Sequence, residues 1–214
     1  MKEKIILVGS GQHARVVLYN IKEQNKYKVI GFLDSDEKKR GNLYEGIPVL
    51  GTYNNLEDIK EKYKTNKFFI AFGDMKNRKK IFEYFIENNW ETINIIHPKA
   101  IISNDAKLGK GILIECGCLI TPNPIIGNNI VINTGSQVNH DNVVNDHVYI
   151  ASGVILSGGV EIGENTLIDD GVVITLGKKI GKNCIIGAGA VVTKNIADNT
   201  IAFGNPSKII RENK

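Results

Sequence analysis

The sequence predicts two domains of different fold class, an alternating α/β domain followed by a parallel β-helix. Short apolar runs alternate with helical patterns over residues 1–97, and within residues 98–214 a strict period of six runs from Ile102 to Val192. Alternating β and α units imply a parallel sheet covered by helices. A hexapeptide period is typical of a β-helix. A chain of 214 residues is long enough for both domains.

The hexapeptide period begins at Ile102 and ends at Val192. Every sixth position is Ile, Leu or Val: Ile102, Leu108, Ile114, Ile120, Ile126, Ile132, Val138, Val144, Ile150, Leu156, Ile162, Ile168, Ile174, Ile180, Ile186 and Val192. A helix repeats apolar residues every three to four positions and an exposed strand every two, so neither explains this period. Three hexads would make one coil of eighteen residues, and about five coils would stack roughly 4.8 Å apart.

Two further positions in each hexad follow from this geometry. The fourth residue after the aliphatic one is often small, which fits a second interior position: Ala106, Cys118, Ser136, Val154, Thr166, Cys184 and Ala190. The residue directly after the aliphatic one often suits unusual backbone angles at a corner: Gly109, Gly127, Asn133, Gly163, Gly181 and Gly187. The three cysteines, of which Cys116 is the third, are expected to be free thiols rather than metal ligands.

The first hundred residues alternate between strands and helices. We predict strands at residues 5–8, 27–33, 68–73 and 92–96, an edge element at 47–51, and helices at 15–25, 56–63 and 76–89. His97 and Pro98 mark the passage into the repeat, because the residue before a proline cannot easily continue a helix. This order predicts a doubly wound parallel sheet.

The turn after the first strand has the shape of a dinucleotide-binding fingerprint. In Gly9-Ser10-Gly11-Gln12-His13-Ala14, the glycines would let an anionic group approach a helix N-terminus. Asp34 ends the second strand, where an acidic residue would meet a ribose hydroxyl. Because no hydride-transfer residues follow, a phosphate-bearing ligand other than NAD fits best. A glycine turn needed only for packing is the alternative.

One turn of the repeat, Asn139-His140-Asp141-Asn142, is chemically exceptional. His140 comes two positions after an inward aliphatic residue, so we expect its side chain to point outward near a corner. Asp141 would orient the imidazole and raise its basicity. Gly158, one coil later, would present a backbone N–H to an oxyanion at the same corner. The alternative is a solvated surface histidine.

Composition argues against several classes of function. The formal net charge of +4 comes without a basic run dense enough for nucleic acid. A run of only four apolar residues precedes Gly9, too short for a signal peptide or membrane span, so we expect a cytoplasmic protein without a membrane partner. Only His140 and His147 lie in the repeat, and a histidine-bound zinc needs three protein ligands. We therefore predict no metal site and expect His147 to be a surface or interface residue.

The hexapeptide repeat resembles that of the left-handed β-helix acyltransferases. With the preceding Gly-Ser-Gly-Gln-His-Ala-Arg segment, the chain is similar over its length to the NeuD-like and PglD-type sugar acetyltransferases, and residues 202–210 resemble their closing loop. The resemblance implies a Rossmann-like first domain, a left-handed β-helix, a homotrimer and acetyl-CoA as co-substrate. It also implies acetylation of the 4-amino group of a nucleotide-linked sugar, for surface glycan or lipopolysaccharide biosynthesis.

The resemblance also implies roles for individual residues. The general base falls on His140 and its acidic helper on Asp141. The nucleotide-sugar pocket is expected to use Gly11, Gln12, His13, Asp34, Ser35 and Gly73. Acetyl-CoA is expected to lie near Tyr149, Gly158, Asp170 and Ala188. Tyr149 is a departure, because the family often has a second histidine there, and Val144-Asn145-Asp146 stands where Ile-Gly-Asp is usual.

Three alternatives stay open on the sequence alone. A sugar O-acetyltransferase acting on a sialic-acid-type hydroxyl would use the same base and the same groove. A non-catalytic β-helix scaffold with a nucleotide-sensing domain would have no affinity for acetyl-CoA. An NAD-dependent enzyme would be stabilised by NAD. Nothing in the residues specifies the sugar or the nucleotide base.

Overall fold

The structure is a computed structural model that describes residues 2–213. Its contacts divide the chain into two compact units, Met1–Ile95 and Ile96–Lys214. The boundary was predicted two residues later, between residues 97 and 98. No helix among the described residues is long and apolar enough to cross a membrane.

Within residues 2–95 the chain forms a six-stranded sheet and three α-helices. The strands are β1 (Glu3–Val8), β2 (Tyr27–Leu33), β3 (Leu43–Tyr44), β4 (Ile47–Gly51), β5 (Lys67–Ile70) and β6 (Glu91–Thr92); the helices are α1 (Gln12–Gln24), α2 (Leu56–Tyr63) and α3 (Met75–Glu87), with a 3-10 turn at Glu37–Lys39. The strand order is β3-β4-β2-β1-β5-β6, and all neighbours are parallel except β3 and β4. The chain therefore winds outward in both directions from β1, as predicted.

Apolar burial explains why β1 lies near the centre of this sheet. Its residues 5–8 are fully buried, as a strand covered on both faces requires. On one side of the sheet Phe68 stacks on Phe85, with 4.5 Å between ring centroids, and Trp90 meets Phe85 edge-on at 5.3 Å. Aromatic rings in such contacts contribute a large share of a core's hydrophobic stabilisation.

Several element boundaries differ from the predicted ones. The predicted strand 92–96 is divided, because Glu91–Thr92 belongs to the six-stranded sheet and Ile95–Ile96 belongs to a separate, eight-stranded sheet. Strand β5 ends at Ile70, and α1 begins three residues early, at Gln12. The β3–β4 hairpin was not predicted. Its two turn residues, Glu45 and Gly46, both have positive φ, which is the geometry of a tight hairpin turn.

The described strands from Ile95–Ile96 onward form three faces of the left-handed β-helix. The first face contains Ile95–Ile96, Leu113–Ile114, Val131–Ile132, Tyr149–Ile150, Leu167–Ile168, Ile185–Ile186, Thr200–Phe203 and Lys208–Glu212. The second contains Ile101–Ile102, Leu119–Ile120, Gln137–Val138, Ile155–Leu156, Val173–Ile174 and Val191–Val192. The third contains Lys107–Leu108, Ile125–Ile126, Val143–Val144, Glu161–Ile162 and Lys179–Ile180. Each strand is followed by a turn, and the turns that follow strands of the first, second and third faces are called the first, second and third corners, respectively.

The aliphatic residues of the six-residue period form the core of the β-helix, as predicted. On the second face, Ile102, Ile120, Val138, Leu156, Ile174 and Val192 pair in succession, each with the residue eighteen positions later. The members from Ile114 to Val192 are buried, and Ile102 and Leu108 pack against them. The second interior position is also confirmed, because Cys118, Ser136, Val154, Thr166, Cys184 and Ala190 are buried there.

Glycine occurs directly after the aliphatic residue of many hexads for a different physical reason from the predicted one. Positive φ occurs at the third residue of a turn, as in Gly117, Gly135, Gly153, Asn123, Asp141, Gly159, Asn129 and His147. The first residue, where glycine was expected for its backbone angles, does not have a left-handed φ. It needs to be small instead, because a Cβ on Gly163 would lie 2.5 Å from the carbonyl carbon of Gly181 in the next coil.

The period shortens in the last coil. Ile196 bridges to Ile180, sixteen residues earlier, and Thr200–Phe203 then pairs with the first face. Lys208–Glu212 turns back antiparallel along Thr200–Phe203 and ends the stack. The closing segment expected at residues 202–210 is therefore a hairpin.

The buried column predicts a contrast between two leucines. Leu156 is fully buried and Leu176 is 67% exposed. Leu156→Ala should lower the free energy of unfolding by about 2–5 kcal/mol, because it leaves a cavity. Leu176→Ala should change it by less than about 0.5 kcal/mol. Urea unfolding followed by circular dichroism at one protein concentration measures both. Equal losses would contradict the assignment of Leu156 to the core.

Candidate active site

His140 and Asp141 lie together at the second corner of the β-helix, as predicted. The Nδ1 atom of His140 is 2.9 Å from Oδ2 of Asp141, and both side chains are more than half exposed. Asp141 is the third residue of its turn and has a φ of 59°. Aspartate is among the few residues that adopt this conformation readily. The turn therefore presents both groups to solvent.

The ionisation of Asp141 determines which imidazole nitrogen can act as a base. The hydrogen bond with His140, and then the one from the Asn123 side chain, hold the pKa of Asp141 below its ordinary value. The carboxylate is thus ionised at neutral pH and accepts the proton of Nδ1–H. Neutral imidazole carries one proton, so Nε2 keeps its lone pair and can accept a proton from a substrate.

Gly158 lies directly against the imidazole of His140, one coil further along the same corner. A Cβ on Gly158 would be 2.3 Å from both Cε1 and Nε2 of the ring, so only glycine leaves room for it. Gly159 N–H donates to the carbonyl of His140 at 2.9 Å and fixes the two turns together. Among the described residues the N–H of Gly158 has no acceptor. It is therefore available to a developing negative charge.

The other predicted acetyl-CoA contacts lie elsewhere on the same chain. Tyr149 belongs to a strand of the first face, and its hydroxyl accepts a hydrogen bond from Asn133 at 3.1 Å. Asp170 and Ala188 are exposed in successive turns of the first corner. The first and second corners border opposite edges of the second face. One chain therefore brings Gly158 to His140, but not Tyr149, Asp170 or Ala188.

His147 is buried, so the expectation of a surface histidine is wrong. It is 7% exposed at the third corner, and its Nδ1 lies 2.9 Å from the side-chain nitrogen of Asn129. Within the described part of the chain, no three His, Cys, Asp or Glu residues are grouped as a metal site would require.

The first unit has a cavity of about 360 Å³ at the carboxyl ends of β1, β2 and β5. This is the edge at which doubly wound sheets bind ligands. Its lining consists of Gly9, Ser10, Gly11, Asp34, Ser35, Lys39, Tyr53, Phe72, Asp74, Asn77 and Ile81. Three predicted residues, Gly11, Asp34 and Ser35, are among them. Gln12, His13 and Gly73 are not, although both chain neighbours of Gly73 are.

Asp34 is already committed to partners within the protein. Its Oδ2 accepts from Lys39 Nζ at 2.8 Å and from the backbone and hydroxyl of Ser10, and its Oδ1 accepts from the Asp36 N–H. Burial opposes ionisation, but the hydrogen bonds from Lys39 and Ser10 outweigh it and lower the pKa of Asp34 to about 2. Asp34 thus anchors the glycine turn and places Lys39 in the cavity wall.

His13 is neutral at physiological pH. Burial, and then the positive charge of Arg78, lower the pKa of His13 to about 4. Arg78 is itself buried, and its Nη1 donates to the carbonyls of Ile70 and Phe72 at 3.0 and 3.2 Å. The imidazole therefore carries no positive charge at this pH. Lys39, which the sequence analysis missed, is the cation in the cavity lining.

Two family models match the sequence. The model described as the PglD N-terminal domain matches residues 4–85, and the bacterial transferase hexapeptide model, with six repeats, matches residues 159–194. A curated relative, UDP-N-acetylbacillosamine N-acetyltransferase of Bacillus subtilis, is 30% identical over 114 residues. That alignment covers 52% of this chain and 51% of the relative, so it spans about half of the relative's length.

Two solved structures are similar over almost the whole chain. A histidine-to-asparagine variant of perosamine N-acetyltransferase from Caulobacter crescentus, in complex with CoA and GDP-perosamine, is 30% identical with a TM-score of 0.91. The match covers 98% of this chain and 97% of that one. The acetyltransferase domain of PglB from Neisseria gonorrhoeae, in complex with acetyl coenzyme A, is 26% identical with a TM-score of 0.88, at 98% and 100% coverage.

The contact between Gly158 and the imidazole predicts the effect of a single methyl group. Gly158→Ala should displace the His140 ring and break its hydrogen bond with Asp141, because the alanine methyl group would overlap with the imidazole. The measurement is the ¹⁵N chemical shift of labelled histidine, which reports the protonation of each ring nitrogen. In a His140→Ala background the same methyl should leave the free energy of unfolding unchanged. Unaltered His140 signals in Gly158→Ala would contradict the packing described.

The low pKa of Asp34 predicts how stability depends on pH. Because its pKa falls from an ordinary 3.8 to about 2 on folding, the carboxylate stabilises the folded state above pH 4 by about 2 kcal/mol. This contribution is lost as the pH falls toward 2. Urea unfolding of the wild type and Asp34→Asn should therefore show a stability gap at pH 7 that narrows below pH 4. A gap that is constant down to pH 2.5 would contradict the Lys39–Asp34 pairing.

Proposed function

The chain belongs to the PglD-type family of hexapeptide-repeat sugar acetyltransferases, and we propose that it transfers acetyl from acetyl-CoA to the 4-amino group of a nucleotide-linked sugar. The observation that carries this proposal is the second corner. There Nδ1 of His140 is hydrogen-bonded to the ionised carboxylate of Asp141, and Nε2 of the same ring lies beside Gly158, whose N–H has no acceptor among the described residues. CoA and a nucleotide amino sugar in the Caulobacter complex support the choice of substrates.

The reaction is a direct acyl transfer. The sugar amine attacks the carbonyl carbon of the thioester while His140 Nε2 accepts the proton that the nitrogen loses. The Gly158 N–H stabilises the negative charge that develops on the carbonyl oxygen. Collapse of the tetrahedral intermediate breaks the C–S bond, and the imidazolium returns its proton to the CoA sulfur. Asp141 keeps the ring oriented and stabilises the imidazolium throughout.

The first unit would bind the nucleotide in the cavity at the ends of β1, β2 and β5. Its lining combines the glycine turn, Lys39 and two aromatic rings, Tyr53 and Phe72. The N-terminus of α1 begins directly after this turn, and the N–H groups of a first helical turn favour an anionic phosphate. The rings offer surfaces on which a nucleobase can stack. These features support a nucleoside diphosphate as the bound group.

A homotrimer is part of the same proposal. The outward positions of the second face are almost entirely apolar: Ile101, Leu119, Gln137, Ile155, Val173 and Val191. The third face carries Lys107, Ile125, Val143, Glu161 and Lys179 at the equivalent positions, so three of its five are charged. A continuous apolar face of this kind favours association. Packing between copies through it would set His140 of one copy near Asp170 of the next, so that two copies complete the acetyl-CoA groove.

The role of His140 as general base predicts a loss of turnover without a loss of binding. His140→Asn should lower kcat roughly 10²–10⁴-fold and leave the Kd for CoA unchanged, because Gly158 and the other proposed contacts remain. The assay is release of CoA thiol with GDP-, UDP- and dTDP-linked 4-amino sugars. CMP-sialic acid and sialic acid test a hydroxyl acceptor in the same assay.

The control is the other histidine of the repeat. His147→Asn places asparagine at a left-handed position of the kind that Asn129 and Asn165 occupy, so it should retain turnover. Wild-type kcat in His140→Asn would refute the proposed mechanism. Turnover only with sialic acid would move the assignment to O-acetylation.

A further inference from the structure

The carboxylate of Asp141 is held by the preceding coil as well as by His140. Its Oδ2 accepts from His140 Nδ1 at 2.9 Å, and its Oδ1 accepts from the side-chain amide of Asn123 at 2.7 Å. The backbone N–H of Asp141 donates to the carbonyl of Pro122 at 3.1 Å. Both carboxylate oxygens therefore have a fixed donor, and the plane of the group is determined from two sides.

Asn123 belongs to a turn that is rigid for its own reasons. It lies between Pro122 and Pro124, whose rings fix φ and remove two backbone donors. Its backbone N–H donates to Asp105 Oδ1 at 3.1 Å, and that oxygen also accepts from Ser103 at 2.7 Å. Asn123 has a φ of 65°, which asparagine tolerates better than most residues. The amide is therefore presented from a preorganised support.

We propose that Asn123 is a positioning residue for the general base, acting on His140 through the carboxylate of Asp141. The inference deepens the function proposed above and depends on it. Without the amide, an exposed aspartate side chain is free to rotate between staggered conformations. Only some of these conformations preserve the hydrogen bond from His140 Nδ1–H to Asp141 Oδ2. The imidazole then spends less time in the tautomer and orientation that expose a basic Nε2 to the substrate.

The chain contains a second side-chain hydrogen bond between successive coils with which this role can be compared. At the third corner, the amide of Asn165 donates to Oδ1 of Asn183 at 2.9 Å, again across one coil, and Asn165 has a φ of 55°. Asn123 and Asn165 thus share residue type, backbone conformation and hydrogen-bond geometry. They differ in that one supports Asp141 and the other supports a second asparagine.

The test is to make the same substitution at Asn123 and at Asn165. Glycine adopts positive φ without strain, so Asn123→Gly and Asn165→Gly each remove an amide and leave the turn intact. We expect Asn123→Gly to lower kcat about tenfold, with KM for acetyl-CoA unchanged, since the loss is one charge-assisted hydrogen bond. Asn165→Gly should keep wild-type kcat. An equal fall in both variants, or wild-type kcat in Asn123→Gly, would overturn the proposal.

A spectroscopic measurement separates positioning from a general loss of activity. Labelled histidine should show His140 mainly as the Nδ1–H tautomer in the wild type and in Asn165→Gly, and a larger share of Nε2–H in Asn123→Gly. Asn123→Asp keeps the shape of the side chain but sets a carboxylate against Asp141, so it should lose at least as much kcat as the glycine variant. An unchanged tautomer in Asn123→Gly would overturn the proposal.

The failure of this inference differs from the failure of the proposed function. If His140→Asn is inactive while Asn123→Gly turns over like the wild type, only the positioning role is wrong. If His140→Asn itself turns over like the wild type, the proposed mechanism is wrong, and the role of Asn123 falls with it.

Discussion

Stacking of parallel coils at an interval of eighteen residues is the constraint on which the second unit depends. Each coil donates backbone hydrogen bonds to the next, as in Asn139 N–H to the Leu156 carbonyl at 3.1 Å and Val143 N–H to the Val160 carbonyl at 2.9 Å. Because this register holds from Ile102 to Val192, residues eighteen apart in that range share a corner. The site arises from that rule: His140 meets Gly158 on one side, and its partner Asp141 meets Asn123 on the other.

The same register explains how the interior tolerates polar side chains. Ser136, Asn142 and Thr166 are fully buried, yet each bonds to the backbone of a neighbouring coil. Asn142, for example, accepts from the Val160 N–H at 2.6 Å. A buried polar group costs little once it is hydrogen-bonded. The pair His140 and Asp141, in contrast, lies on an exposed corner, where the Asp141 carboxylate stays in contact with water.

Periodic features of the molecule could be predicted from the sequence, and local ones could not. A six-residue period fixes which side chains point inward and which share a corner, so the core and the His140–Gly158 contact followed from counting. The same count would have found Asn123, which precedes Asp141 by one coil. The burial of His147 was missed because it comes from contact with Asn129 one coil earlier, and Lys39 was missed because only the folded loop brings it to Asp34. Gly73 is absent from the cavity lining for a related reason, since β5 ends at Ile70, earlier than predicted.

The shortened final coil and its hairpin have a consequence for how the molecule avoids growing into a fibre. A stack of parallel coils ends in a row of backbone groups ready to pair with another chain. The strand Lys208–Glu212 pairs antiparallel with Thr200–Phe203 at the end of the first face, and all five of its residues are exposed, the charged Lys208, Arg211 and Glu212 beside Ile209 and Ile210. Charged side chains on an outer strand discourage further pairing. The chain thus terminates its own stack.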